Sequence, residues 1–405
     1  MRQRIEHTTR TANSTPLLAA LAVACLSQPA AAQGGLEEVV VTAQRREATL
    51  QEVPVAVSAF DKVSIERRQS FNTVDIVNNV PNLVGNNNIG QSTATTVFLR
   101  GVGTTESIVT VDTATGFYVD DVYMARQGVN NMSLYDIERV EVLRGPQGTL
   151  HGRNTTAGAI KIFTTKPSDE FDFKAEASYG RFDRWNLKGT VNVPLTDQLF
   201  VRATAITNQG DGFTDNATLG EVNDRDTVGF RGALRWEATD SLTFDLVGDW
   251  SESDSDSLYG IDLLPANGVS PVYSFSNTDL FQSSSGLNQF NEGEASGVSL
   301  DINWDINDKV AIESITSYRN TRQKWDLDLS DKPFPTIFRL LTINDSDQFS
   351  QEVKLNATLF DDRVDLVVGA FYFDEESFSI IGDNIGFAGV MPSRTYDVNV
   401  ESLAF

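Results

Sequence analysis

Apolar and polar residues alternate strictly along the chain from residue 171 onward. In the first such segment the alternating residues are Phe171, Asp172, Phe173, Lys174, Ala175, Glu176, Ala177, Ser178 and Tyr179. The same period of two recurs over residues 242–250 and 298–306. Because successive side chains of a β-strand point to opposite faces, each segment predicts a strand with one apolar and one polar face. We expect roughly ten antiparallel strands of about 9–13 residues after residue 170, with their apolar faces outward.

The connections between these strands differ in length on the two sides. Tight turns are predicted at residues 194–198, 237–241, 306–309 and 360–362, and longer, acidic loops near residues 209–224, 252–295, 321–345 and 378–395. A soluble β-sandwich also alternates apolar and polar residues. Short turns on one side and long loops on the other are instead typical of an outer-membrane β-barrel. Aromatic residues near strand ends, such as Trp236 and Tyr318, fit the interfacial girdles of such a barrel.

A region with mixed periodicity precedes the barrel-like strands. Strands are predicted at residues 53–60, 97–101, 116–123, 139–145 and 158–165. A short helix is predicted over residues 72–83, where Asn72 or Thr73 provides the cap and Pro81 the end. This pattern predicts a compact α+β domain.

Composition and charge exclude several classes of function. The chain has 405 residues and a net charge of −24, with a pI near 4.4, so it would repel nucleic acid. A single Cys excludes an internal disulfide framework, and two His leave little material for a His-rich metal site or a histidine-based triad. The sequence therefore indicates no cofactor and no metal site.

The N-terminus has the pattern of a secretory signal peptide. An apolar core over residues 17–26 and small residues at 30–32 follow a basic region formed by Arg2, Arg4 and Arg10. Ten apolar residues are too few to span a bilayer as a helix. We therefore predict a cleaved signal peptide over residues 1–32.

A loop with four glycines joins two predicted strands within residues 138–167. A phosphate-binding loop requires G-x-x-x-x-G-K-[ST], but Arg153 and Asn154 follow Gly152. The nearest dinucleotide-type motif, at residues 101–106, lacks its third glycine. The loop also lacks a G-x-S-x-G elbow that would pair with a catalytic histidine. These departures argue against nucleotide binding and against catalytic residues in this loop.

The motifs together resemble those of the TonB-dependent receptors of Gram-negative outer membranes. Residues 36–47 (LEEVVVTAQRRE) are similar to the TonB box and its linker, and residues 53–61 (VPVAVSAFD) to the start of the plug domain. Residues 97–103, 116–123 and, most specifically, 137–167 are similar to later plug signatures. The resemblance covers essentially the whole chain. It implies an α+β plug domain followed by antiparallel transmembrane β-barrel strands.

The resemblance also implies a domain organisation. After the signal peptide, residues 33–50 would be the TonB box and linker, residues 51–167 the plug domain and residues 168–405 a partial β-barrel. Barrels of this family have about 22 strands, whereas about ten are predicted here. Because an open half-barrel would expose two unpaired strand edges to lipid, we expect a fragment of a longer product.

Two sets of functional residues are implied by the resemblance. A TonB-type periplasmic energy-coupling protein would pair, as an added strand, with Glu38, Val39, Val40, Val41, Thr42 and Ala43. Packing between plug and barrel would involve Arg100, Glu141, Arg144, Gly145, Gly148, Gly152 and Arg153. Residues 33–50 are expected to be extended and loosely held.

The function that the resemblance implies is active uptake of a scarce ligand across the outer membrane. A ferric siderophore is the ligand we expect, with vitamin B12 or an oligosaccharide as alternatives. A passive channel or adhesin would not need the α+β domain, and an outer-membrane hydrolase has little support from His151 alone. The expected partners are the TonB-type protein, outer-membrane lipid and a small-molecule ligand that contacts residues 86–95, 104–110 and 125–132.

Overall fold

The structure of the protein is a computed structural model. It describes residues 40–42, 45, 48–49, 51, 53–257, 282–283, 285–328, 338–360, 363–385 and 393–405. The predicted signal peptide lies outside the described residues. No helix within the described residues has the length and the apolar character that a membrane crossing requires.

Short strands and helices alternate in the N-terminal domain, which comprises residues 53–167. Together with two strands that precede it, its strands are β1 Val40–Val41, β2 Ala48–Thr49, β3 Ala56–Asp61, β4 Leu83–Asn87, β5 Thr95–Leu99, β6 Val102–Thr104, β7 Thr115–Val119, β8 Val122–Tyr123, β9 Ile137–Arg144 and β10 Gly158–Thr164. The helices are α1 Lys62–Arg68, α2 Thr73–Val77 and α3 Gly148–His151. The predicted α+β class is confirmed.

A five-stranded sheet in the order β3-β9-β10-β7-β8 forms the centre of the N-terminal domain. β10 pairs in parallel with β7, and the other neighbours are antiparallel. Ile65 of α1 and Ile76 of α2 join Val142 and Ile160 of the sheet in one buried hydrophobic cluster. Burial of each such side chain contributes about 1.5–3 kcal/mol, so this cluster holds the helices on the sheet.

Side-chain caps determine where the first two helices begin. Asp61 accepts a hydrogen bond from the backbone N–H of Ser64 at 2.8 Å and thereby starts α1, which the sequence analysis did not predict. Asn72 and Asp75 form a reciprocal capping box at the start of α2. The helix predicted over residues 72–83 begins where expected but has only five residues, because the chain then turns into β4.

The strand predicted over residues 116–123 is a tight hairpin. Asp120 and Asp121 join β7 to β8 with φ angles of +48° and +63°. Two successive residues with positive φ are typical of the type I′ turn, which matches the twist of a hairpin. The sequence did not indicate this turn because the glycine that usually marks it is replaced by a second aspartate. The turn places two carboxylates side by side at the edge of the five-stranded sheet.

The rest of the chain forms an antiparallel sheet of ten strands, here called the large sheet. Its strands are β11 Asp172–Tyr179, β12 Trp185–Pro194, β13 Leu199–Gly210, β16 Arg225–Thr239, β17 Leu242–Ser255, β19 Phe290–Asn307, β20 Val310–Asp328, β21 Phe338–Leu359, β22 Val364–Ile385 and β23 Ser393–Ala404. A separate small sheet contains β14 Thr214–Asn216, β15 Gly220–Val222 and β18 Gln282–Ser283. The predicted strand count is confirmed, and the described residues form an open sheet with β11 and β23 at its edges.

The two faces of the large sheet differ in polarity. On the outer face, Phe173, Phe230 and Val368 are 64%, 50% and 52% exposed. On the inner face, Arg202 and Thr204 are 5% and 1% exposed and contact the N-terminal domain. The apolar face therefore points outward, as predicted for transmembrane β-barrel strands.

The predicted strand length is wrong for the later strands. β11 has 8 residues, but β21 and β22 have 22 each. At about 3.4 Å per residue, 22 residues extend about 75 Å, well beyond the hydrocarbon thickness of about 30 Å. These strands continue into the regions predicted as loops at residues 321–345 and 378–395.

Candidate functional site

The N-terminal segment, residues 40–49, folds back as a short hairpin in its described part. β1 pairs antiparallel with β2 through two residue pairs. Val41 is fully buried in a hydrophobic cluster that includes Leu143 of β9 and Phe373 of β22. The expectation that residues 33–50 are loosely held is therefore wrong for the described residues. Three of the predicted partner-binding residues lie outside the described part of the chain, namely Glu38, Val39 and Ala43.

Thr42 anchors this segment to two charged side chains of the N-terminal domain. Its backbone N–H donates to both carboxylate oxygens of Glu141 at 3.1 Å. Its hydroxyl oxygen accepts a hydrogen bond from Lys161 Nζ at 3.0 Å. Glu141 and Lys161 face each other across β9 and β10 and are both 0% exposed. The structure thus brings together Thr42 and Glu141, to which the sequence analysis gave separate roles.

Arg45 links the N-terminal segment to both the N-terminal domain and the large sheet. Its guanidinium group lies 3.3 Å from Asp121 in the β7–β8 turn and 3.3 Å from Glu352 in β21. Its Nε donates to the backbone carbonyl of Leu150 at 3.0 Å. Arg45 is 8% exposed, so water screens these contacts little. The sequence analysis missed this residue, because an arginine in a linker gives no sign of where its carboxylates lie.

Asp121 is the common partner of Arg45 and Lys161. Lys161 Nζ lies 2.8 Å from the Asp121 carboxylate. Burial alone would raise the pKa of Asp121, but Lys161 and Arg45 hold that pKa well below its usual range. Burial lowers the pKa of Lys161, and Asp121 opposes this shift. We call this group the N-terminal cluster: Thr42, Arg45, Asp121, Glu141, Lys161 and Glu352.

The other charged residues predicted to pack against the barrel have different surroundings. Arg153 binds Asp112 at 2.8 Å, and its guanidinium carbon lies 5.4 Å from the ring centroid of Phe373 in β22. Arg144 is half-buried, and Arg100 is exposed. The structure therefore places Arg153 against the large sheet, while the packing role of the whole predicted set stays a prediction.

The glycine loop uses its glycines for backbone geometry. Gly145 and Gly152 have φ angles of +118° and +80°, which residues other than glycine rarely adopt. Gly148 begins the short helix α3 between them. A Cβ atom at Gly158 would lie 2.1 Å from the carbonyl oxygen of Leu143, so β9 and β10 approach closely here only because the residue is glycine.

Five ion pairs between the N-terminal domain and the large sheet, among the described residues, were not predicted. They are Asp136 with Arg202 at 2.5 Å, Asp120 with Arg231 at 2.5 Å, Lys166 with Asp245 at 2.9 Å and with Asp301 at 3.9 Å, and Arg126 with Glu375. The alternation of apolar and polar residues predicts that Arg202, Arg231 and Asp245 lie on the polar face of their strands. It does not predict the residue with which each of them pairs, because the pairing depends on how the N-terminal domain packs against the sheet.

Amide side chains add neutral contacts across the same interface. Gln348 of β21 donates to the carbonyl of Tyr123 at 2.5 Å, and Gln323 of β20 donates to Gln91 at 2.9 Å. Gln91 is 1% exposed. Residues 86–95, expected to face the ligand, are therefore partly packed against the large sheet.

The sequence matches one family profile across most of the N-terminal domain. The profile is described as the TonB-dependent receptor plug domain and matches residues 49–159. The matched range contains all three helices, the β7–β8 turn and the glycine loop.

Similar curated proteins are transporters and receptors. The vitamin B12 transporter BtuB of Vibrio vulnificus is 26% identical over 254 residues, which cover 62% of this chain and 40% of the transporter. The ferric enterobactin receptor PirA of Pseudomonas aeruginosa is 27% identical over 269 residues, which cover 58% of this chain and 35% of the receptor. The chain thus spans less than half the length of these relatives.

Solved structures share the fold at low sequence identity. The outer-membrane ferripyoverdine receptor of Pseudomonas aeruginosa superposes with a TM-score of 0.73 and 16% identity, covering 90% of this chain and 50% of the receptor. The ferric yersiniabactin uptake receptor FyuA of Yersinia pestis gives a TM-score of 0.63 at 16% identity, covering 86% of this chain and 61% of FyuA. The predicted fold class, a plug domain followed by barrel strands, is confirmed.

Proposed function

Because the chain belongs to the TonB-dependent receptor family, we propose that the complete protein imports a scarce small ligand across an outer membrane. The observation that carries this proposal is the ion-paired contact between the N-terminal domain and the polar face of the large sheet. The other face of that sheet is apolar and suits outer-membrane lipid. A domain held in this way would close a barrel at rest and could shift when its contacts are exchanged.

The proposed organisation follows the sequence analysis. Residues 1–32 would be a cleaved signal peptide that directs export, and residues 33–50 the TonB box and linker. Residues 51–167 would be the plug, and residues 168–405 part of the barrel wall in the outer membrane. We propose transport, and not catalysis, as the activity of this assembly.

A TonB-type periplasmic protein would supply the energy by pairing with residues 38–43 as an added strand. Support comes from β1, which already has an extended conformation and pairs through only two residue pairs with β2. A partner strand could therefore replace β2 once the contacts of Val41 and Thr42 with the N-terminal domain are released. Valine and threonine also favour strand conformation.

The position of the N-terminal cluster supports access from the periplasm. Glu352, which binds Arg45, lies in the half of β21 that ends at Leu359. A tight turn follows Leu359, and tight turns lie on the periplasmic side of outer-membrane barrels. An energy-coupling protein that approaches from that side would meet the N-terminal segment first.

A ferric siderophore is the ligand that we propose, with vitamin B12 as the alternative, since relatives of both kinds match the chain. The test is uptake of a radiolabelled ferric chelate panel and of cyanocobalamin by cells that produce the protein, with and without the TonB-type gene. We expect accumulation of one ligand that depends on the TonB-type gene. Accumulation that is equal in both strains would refute active transport.

A further inference from the structure

A cavity lies between the N-terminal domain and the inner face of the large sheet. Residues 131–135 of the domain line one side, and strands β13, β16, β17 and β20 line the other. Three arginines of the sheet border it, namely Arg225, Arg231 and Arg319. Such a concentration of positive charge is unexpected in a chain whose net charge is −24.

Two of the three arginines at this cavity form ion pairs with described residues. Arg231 binds Asp120 at 2.5 Å, and Arg319 binds Asp249 at 3.0 and 2.7 Å. Arg225 makes no ion pair and no side-chain hydrogen bond with any described residue. The carboxylate whose charge acts on Arg225 is Asp75, which accepts hydrogen bonds from the backbone N–H groups of Phe71 and Asn72. The Arg225 guanidinium group therefore borders the cavity without a direct ion pair to a described residue.

One further carboxylate borders the cavity but does not neutralise it. Glu252 is exposed, whereas Ser251 and Ser253, which alternate with it on β17, face inward. Trp250, on the same face as Glu252, donates to Glu294 at 3.2 Å on the outer side of the sheet. The Glu252 side chain thus belongs to the outer face.

Two buried hydrogen-bond donors at this cavity lack acceptors among the described residues. The Nε atoms of Arg231 and Arg319 are buried and have no hydrogen-bond partner in the described part of the chain, although the two residues are only 7% and 5% exposed. Tyr135 also borders the cavity, and burial raises the pKa of its phenol to about 12, so the hydroxyl stays protonated at neutral pH. Because buried donors without acceptors are costly, these groups indicate a site for an acceptor that carries negative charge.

We propose that this cavity is a binding site for an anionic oxygen group of the transported ligand, with Arg225 as its principal cation. A planar guanidinium group matches the two oxygens of a carboxylate and binds it more strongly than a neutral group. The inference rests on the proposed function and narrows it. The ligand class that it selects is an anionic, carboxylate-bearing ferric chelate, and not an uncharged chelate or cyanocobalamin.

Equilibrium binding to outer membranes that carry the protein tests this assignment. The probes are radiolabelled ferric citrate, an uncharged ferric trihydroxamate and cyanocobalamin. We expect the wild-type protein to bind ferric citrate best and Arg225→Gln to weaken that binding about tenfold or more, because a charge-assisted contact is lost. Arg322→Gln is the matched control, since Arg322 lies in β20, is 50% exposed, pairs with Asp345 and is not among the residues that line the cavity.

The binding measurements either support or refute the assignment of the cavity as an anion-binding site. Equal binding by wild type and Arg225→Gln, or a wild-type preference for an uncharged probe, would overturn the assignment and leave the unpaired donors to water. Thermal unfolding of both variants in detergent shows whether a loss of binding is a loss of fold. Because binding is measured without an energy source, a loss of binding can be distinguished from a loss of TonB-dependent uptake.

Discussion

Replacing Asp121 by Asn should release the N-terminal segment from the N-terminal domain. Asp121 lies 2.8 Å from Lys161 Nζ and 3.3 Å from the guanidinium group of Arg45, and its side chain is 15% exposed. Asparagine keeps the size of the side chain but removes its charge. Lys161 and Arg45 would then be buried cations with one carboxylate fewer between them.

The size of the effect follows from these contacts. Removing one partner of a buried ion pair costs about 3–5 kcal/mol. Arg45 keeps Glu352, and Lys161 keeps the Thr42 hydroxyl, so we expect the lower value of about 3 kcal/mol. If that loss falls on the contact between segment and domain, the released population rises roughly 150-fold, since about 1.4 kcal/mol is a factor of ten.

Hydrogen exchange of the backbone amides in residues 40–49 measures the released population. The matched control is Asp112→Asn, because Asp112 is 47% exposed and pairs with Arg153 instead of Arg45. The pKa of Asp121 is depressed in the folded protein, so its stabilising contribution is present above about pH 4 and is lost only as pH falls below that value. The difference between the two variants should therefore be equal at pH 5.5 and pH 8. Unchanged exchange in residues 40–49, with faster exchange elsewhere, would refute the reasoning.

Three other substitutions test separate parts of the structure. Val40→Pro removes a backbone donor from β1, so energy-dependent uptake should cease while ligand binding survives, and an equal loss of both would mean that the segment is only structural. Gly158→Ala should lower the free energy of unfolding by about 3 kcal/mol in denaturant titrations because its Cβ would meet a backbone oxygen, whereas Gly180→Ala, which meets nothing within 4 Å, should leave it unchanged. Asp136→Ala should cost about 3–5 kcal/mol because Arg202 stays buried without its carboxylate, and a second substitution, Arg202→Ala, should recover part of that loss.

The alternating pattern predicted the large sheet well because each strand shows the period of two within its own residues. Phe230 is apolar and 50% exposed on the outer face, whereas its neighbour Arg231 points to the other face and meets Asp120 of the N-terminal domain. Strand length was harder to predict. β21 and β22 extend into residues 338–345 and 378–385, which were predicted as loops.

The candidate site was less predictable because its contacts join residues far apart in sequence. Arg45 meets Glu352 across 307 positions, and Asp136 meets Arg202 across 66. Alternation gives the face on which a charge lies but not the charge that it meets. The β7–β8 turn was missed for a local reason, since Asp120 and Asp121 adopt a conformation that glycine or asparagine usually provides.

The β7–β8 turn also determines how the molecule would respond to tension at residue 40. The two residue pairs of the β1–β2 hairpin would separate one after the other at low force. Thr42, which binds Glu141 and Lys161, would carry the tension next. Arg45 would follow in parallel through Asp121 and Glu352, so two contacts must fail together there. The next residue along the turn, Asp120, is tethered to Arg231 in β16. A pull would therefore act on β9 and β10 through Thr42 before it reaches β21 through Arg45 and β16 through Asp120.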